Sequence, residues 1–158
     1  MTQTIDSLEF AAQGAHLDGT TAVGNMPRLH EHLNSAQGSV AWQIDGVPDH
    51  GGKPALRIAI EGDLDLVCQR CLGSYPFHVD GETVLTIEQP GEAHDDEADS
   101  ITADSALDVS GLVEDEVLLA LPMSPRHAET ECAGRPSVAV EDNIRPFAAL
   151  ARLKTPEQ

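Results

Sequence analysis

The sequence predicts an α+β fold, with an antiparallel sheet or partial barrel built around one long bent β-hairpin and packed by two or three short helices. Three observations carry that reading. Two adjacent segments alternate apolar and polar residues over a length typical of strong strands. A short turn, Cys68 to Ser74, joins them. Further along, an aliphatic segment opens on capping residues and stops at a proline, as a helix does.

The elements follow in chain order. Residues 5–11 read as a short strand with Leu8 and Phe10 on one face. Residues 12–24, rich in Gly and Thr, read as loop with room for another short strand. Asn25 can cap a helix and Pro27 is tolerated in its first turn, with Met26, Leu29 and Leu33 on one face. His30 and His32 in that segment read as solvent-facing. Val40, Trp42 and Ile44 alternate with polar or small residues, predicting a half-buried strand over 39–45, followed by a loop over 46–54.

Leu56, Ile58, Ile60, Leu64 and Leu66 then alternate with Arg57, Ala59, Glu61, Asp63 and Asp65. Tyr75, Phe77, Val79, Thr83, Leu85 and Ile87 do the same after the turn at 68–74. Pairing Cys68 with Tyr75 would set Gly62 opposite Gly81, and two facing glycines would let the hairpin bend. Residues 90–108 are acidic and poor in large apolar side chains, and read as a mobile acidic loop. Asp108 or Ser110 caps a helix reaching Leu121, with Leu112, Val113, Val117, Leu119, Ala120 and Leu121 supplying its buried surface, and Pro122 ends it. Residues 133–143 read as loop, and 146–153 as a last short helix. The whole chain, 1–158, reads as one domain.

Composition narrows the function. Nine basic against 27 acidic residues give a formal charge of −18 in 158 residues. Such a chain repels polyanions. Non-specific nucleic-acid binding needs Lys and Arg to displace counterions, and here the basic residues are scattered. Five aromatic residues, Phe10, Trp42, Tyr75, Phe77 and Phe147, make a poor base-stacking platform. A basic partner such as a ribosomal protein fits the charge better than bare RNA. The absence of a basic, apolar leader and of any long apolar run points to a cytoplasmic protein with no membrane partner. In a reducing compartment three cysteines suggest metal ligands or plain thiols rather than a disulfide framework.

The chemistry-bearing residues form two pairs. Cys68-Gln69-Arg70-Cys71 sits in the hairpin turn, and His127 and Cys132 lie beyond the aliphatic helix. Thiolate and imidazole ligands in this number suit one structural zinc, a Cys3His site tying the turn to the chain leaving the helix. Ordinary thiols, with Cys132 loose in a surface loop, are the alternative. A redox role is disfavoured, because a β-turn rather than a helix N-terminus carries the C-x-x-C. Arg70, on an exposed turn, can meet a phosphate or an acidic partner, or be merely solvated. Glu114, Asp115 and Glu116 point in different directions on a helix and cannot converge on one ion. They read as an exposed acidic face, favoured by the helix dipole, that can meet a basic partner.

Several segments together resemble one family. They are Val67-Cys68-Gln69-Arg70-Cys71, then Leu112-Val113-Glu114-Asp115-Glu116-Val117-Leu118-Leu119-Ala120-Leu121-Pro122, then Pro125-Arg126-His127 and Cys132, and the tail Arg145-Pro146-Phe147-Ala148-Ala149-Leu150-Ala151-Arg152-Leu153-Lys154. In order and total length they resemble the bacterial large ribosomal RNA subunit accumulation protein YceD family and its plastid relatives. The acidic helix is the most specific piece, whereas a C-x-x-C alone would be weak. The resemblance spans nearly the whole chain and implies a role in the synthesis, processing or stability of 23S rRNA, with no known catalytic activity. On that expectation the protein is a non-enzymatic factor that binds a basic ribosomal protein or a large-subunit assembly intermediate. A second reading is direct RNA binding through Arg57, Arg70, Arg126 and Arg135. A third, a hydrolase or nuclease, lacks any recognisable catalytic set.

Overall fold

The two alternating segments become the two longest strands. In the computed structural model, which describes residues 3–89, 99–128 and 131–132, they are β5 (Pro54–Val67) and β6 (Ser74–Glu88). They pair antiparallel from Ala55↔Thr86 to Val67↔Ser74. Their inward residues, Leu56, Ile58, Ile60, Leu64, Leu66, Val79, Leu85 and Ile87, are buried in the central core. The register differs from expectation by two residues. Gly62 faces Val79 and Gly81 faces Ile60, so the two glycines are not opposite. The cause lies in the turn. Cys68 N–H donates to the Gly73 carbonyl at 2.9 Å, which closes the loop one step before the ladder begins at Val67 and Ser74. An even shift keeps every side chain on its expected face.

β4 (Ser39–Pro48) runs antiparallel along one side of β5, and β2 (His16–Ala22) runs antiparallel along β4. Past Gly62, β3 (Leu33–Ser35) takes over from β4 on that side of β5. β7 (Ser100–Thr102) joins β6 in parallel, so the strand order is β2-β4-β5-β6-β7 with β3 added beside β5. The sheet is open rather than a closed barrel. The loop expected over 46–54 is shorter than the sequence suggested, because β4 pairs as far as Pro48↔Pro54. Asp49 organises the five residues left, its carboxylate accepting from Gly51 N and Lys53 N at 2.8 and 2.7 Å. The acidic stretch is also partly structured. Ile101 lies in β7, and Leu107 lies in β8 (Leu107–Asp108), which pairs with β1 (Thr4–Ile5) in a separate two-stranded sheet. Residues 90–98 lie outside the described residues, as do the loop over 133–143 and the helix over 146–153.

Two local expectations are corrected. Residues 5–11 do not form one strand, since α1 (Ser7–Ala12) is a helix. Asp6 caps it by accepting from Glu9 N at 2.9 Å, and Gly14 at φ +58° takes the left-handed exit. Four alternating residues cannot outweigh a capping pair at i and i+3. The helix expected from Asn25 is instead two 3-10 turns, Val23–Asn25 and Pro27–His32. Met26 and Leu29, three apart, eclipse each other on such a turn and both are buried. His30 and His32 face solvent as expected.

α2 (Val109–Ala120) is capped by Asp108, whose side chain accepts from Ser110 N at 2.9 Å, and Pro122 follows its end. Val109, Leu112, Val113 and Val117 pack it onto the sheet. Leu119, expected to be buried, is 80% exposed. No described helix is long and apolar enough to cross a membrane.

Candidate metal centre

Four side chains from two distant parts of the chain meet at one end of the hairpin. The turn is a tight knuckle. Leu72 N–H donates back to the Cys68 carbonyl at 2.9 Å, and Leu72 itself sits at φ 59°, a conformation that a branched side chain seldom adopts. That curl turns both thiols of the C-x-x-C to the same side. The segment leaving α2 crosses the knuckle, with Gln69 N–H donating to the Pro125 carbonyl at 2.8 Å. His127 is thereby laid against Tyr75, its ring 5.4 Å away edge to face. A final turn, Cys132 N–H to the Ala128 carbonyl at 3.1 Å, brings Cys132 back.

The ligand atoms of Cys68, Cys71, His127 and Cys132 all lie within 4.8 Å of one another. The Cys68 and Cys132 sulfurs are 3.9 Å apart, and Cys71 Sγ is 3.5 Å from His127 Nδ1. A tetrahedral zinc with ordinary bond lengths sets two sulfurs about 3.8 Å apart and a sulfur and a nitrogen about 3.5 Å apart. The cluster therefore fits such an ion. The imidazole is oriented for the task. Its Nε2–H donates to the Ser74 carbonyl at 2.8 Å, which leaves the Nδ1 lone pair facing the thiols. Cys68 is fully buried and the other three are partly buried.

The electrostatics suit a cation. Burial opposes ionisation of Cys68, yet the backbone amides of Cys71, His127 and Arg70, with the Cys71 thiol, outweigh it and hold Cys68 down at about 5. Cys132 is pushed up to about 11, first by burial and then by hydrogen bonding and charge from Cys71 and Cys68. Crowded thiols cannot all ionise together, whereas a bound dication reverses that and favours several thiolates at once.

The other expected residues separate. Arg70 is exposed on the knuckle, with Arg126 exposed nearby on the crossing segment. Arg57 is ten residues along β5 from Val67, roughly 30 Å at a strand's rise, and is bound to Asp45 at 3.2 Å. The four-arginine patch is therefore not assembled among the described residues, and Arg135 lies outside them. Glu114, Asp115 and Glu116 are not one exposed face. Glu114 and Glu116 are each only 6% exposed, and Asp115 alone faces solvent. All three lie beyond the first helical turn, so Arg28 rather than the helix dipole accounts for the first two. Its backbone N–H donates to Glu114 Oε1 at 2.7 Å and its Nε to Glu114 Oε2 at 3.1 Å, while its guanidinium also holds Asp115 and the Gly111 carbonyl. Sequence reasoning passed over Arg28, because nothing in its neighbourhood announces a partner 86 residues away.

The family model described as "Large ribosomal RNA subunit accumulation protein YceD" matches residues 56–154, a span that takes in the hairpin, α2 and all four ligands. The chain belongs to the YceD family. Within that family it is similar to the Haemophilus influenzae protein of the same description, at 27% identity over 176 residues, covering 96% of this chain and 94% of the relative. No solved structure matches it. The YceD name describes an accumulation factor rather than an enzyme.

Proposed function

We propose that this protein is a non-enzymatic factor supporting the synthesis, processing or stability of 23S rRNA, and that it works in the cytoplasm by binding a basic ribosomal protein or large-subunit assembly intermediate. The family match over residues 56–154 carries the reading. The charge of −18 supports a basic protein partner over bare RNA, and so does the commitment of Arg57 to Asp45. Cys68, Cys71, His127 and Cys132 hold one structural zinc, which supplies no chemistry beyond tying the knuckle to the segment after α2. Of the expected set, Arg70 and Asp115 are exposed, and Asp115 meets a partner's surface while paired with Arg28.

The test is genetic and direct. Deleting the gene lowers 23S rRNA and large subunits relative to small ones, and a plasmid copy restores both. A copy carrying Cys132→Ser restores them poorly. Unchanged 23S rRNA in the deletion strain would sink the proposal. A tagged pull-down with and without RNase then separates the partners. Large-subunit proteins that survive RNase identify a protein contact, and recovery lost with RNase, weakening steeply with salt, identifies RNA.

A further inference from the structure

Beside the Arg28 clamp, and sharing Asp115 with it, lies a groove. The outer face of α2, the middle of β6 and β7 enclose a cavity of about 620 Å³. Its apolar wall is Ile60, Leu85, Ile101 and Leu112, with Leu119 standing at the lip. Leu119 also borders a second depression of about 280 Å³, lined by Leu66, Leu121, Met123 and Pro125, that runs to Gln69 on the knuckle. Leu119 is 80% exposed and Met123 fully so. An exposed leucine between two hollows, with an exposed methionine lining the second, is what a partner covers rather than what a solvated helix needs.

The charge of the rim selects the partner. Glu82, Asp99, Asp115 and Glu116 line the larger hollow, and among the described residues no basic one does. Arg28 pairs with Asp115, which leaves Glu82, Asp99 and Glu116 as the acids offered to a cation. Glu116 hydrogen-bonds Thr83, and burial together with the charges of Asp115 and Asp99 raises its carboxyl above the ordinary value. A cation entering here gains on three sides, whereas a phosphate is repelled.

We propose that this groove docks a cationic amphipathic segment of a large-subunit ribosomal protein, its apolar side chain seated against Leu112 and Leu119 and its Arg or Lys between Glu82, Asp99 and Glu116. The proposal rests on the reading of the protein as a binder of basic ribosomal proteins, and it adds the surface and the chemistry recognised.

The experiment uses the full chain with a photo-crosslinking amino acid at position 119 or, as control, at Leu72 on the knuckle. The probe is the set of large-subunit proteins extracted free of RNA. Crosslinks from position 119, absent from position 72, to a Lys- or Arg-rich peptide of one such protein are expected. With that protein purified, Leu119→Arg weakens binding by about tenfold or more, and Glu82→Lys with Asp99→Lys does likewise, with metal content and melting temperature unchanged. Crosslinks only to residues 133–158 of the same chain, to a second copy or to added 23S rRNA would overturn the proposal, as would unaltered affinity in both variants. The two readings fail separately. A Leu119→Arg copy that fully restores 23S rRNA in the deletion strain removes the groove and leaves the accumulation role. A deletion without effect on rRNA removes that role, and the binding assay still judges the groove.

Discussion

Glu116 shows how one side chain records its surroundings. Its carboxyl pKa is raised first by burial, against a hydrogen bond with Thr83 and with help from Asp115 and Asp99. The folded protein therefore holds this proton to a higher pH than the unfolded chain does. In the window just above the ordinary value of 4.5 the native state binds more protons, so this residue's contribution to stability falls as pH rises. Glu116→Gln keeps a hydrogen-bonding partner for Thr83 and removes the charge. It is expected to raise the melting temperature at pH 7, with the gain vanishing below pH 4.5, as thermal melts of both proteins across pH 4–8 would show. A variant melting lower than wild type at pH 7 contradicts the account. The sequence could not disclose any of this, because rules for acids near a helix start concern the helix itself. The burial of Glu114 depends on Arg28 and that of Glu116 on β6, both distant in sequence. The four ligands were legible, since residue type and C-x-x-C spacing are properties of the sequence, and the structure brings them together as the expected Cys3His cluster.

Among the elements, long regular ones were legible and short ones were not. β5 and β6 alternate over enough residues to suppress a helical reading, and α2 carries its own cap and stop. α1 is six residues long and its alternation is too brief to decide anything, while the pairing of β1 with β8 joins Ile5 to Leu107, a contact no local pattern contains. The hairpin register failed because the knuckle's internal hydrogen bonds set its length. Gly62 tests the packing of β4 against β5. A Cβ there would lie 2.8 Å from the Ser39 carbonyl oxygen and 3.0 Å from Val40 Cα, both backbone atoms, whereas a Cβ at Gly81 would meet only Ile60 at 3.7 Å. Urea unfolding is expected to give Gly62→Ala a loss of about 1–3 kcal/mol, and to leave Gly81→Ala within about 0.5 kcal/mol of wild type. Equal losses in the two variants would refute the close approach of β4.

At the scale of the molecule, the Cys3His cluster links positions 64 residues apart, Cys68 and Cys132. Metal bound only by the folded form adds stability in proportion to the logarithm of its excess, about 4 kcal/mol at a thousandfold excess over the dissociation constant. The protein prepared under reducing conditions is expected to carry one zinc per chain by native mass spectrometry. Stripping it with a chelator lowers the melting temperature while far-ultraviolet circular dichroism retains the sheet, whose core does not include the cluster. Cys132→Ala abolishes the chelator's effect. A melting temperature indifferent to chelation would mean that the cluster holds no structural ion.

β6 has a further consequence. It is fifteen residues long, yet among the described residues a strand covers its outer side only at Thr86, Ile87 and Glu88. An edge of that length is a template for another chain's backbone. Pro76 removes one donor from it, and the exposed Asp80 and Glu82 set like charges against like when two copies approach. Near the isoelectric point of about 4.4 the net charge that holds copies apart vanishes, and self-assembly through strand β6 is the expected hazard in concentrated, mildly acidic solution.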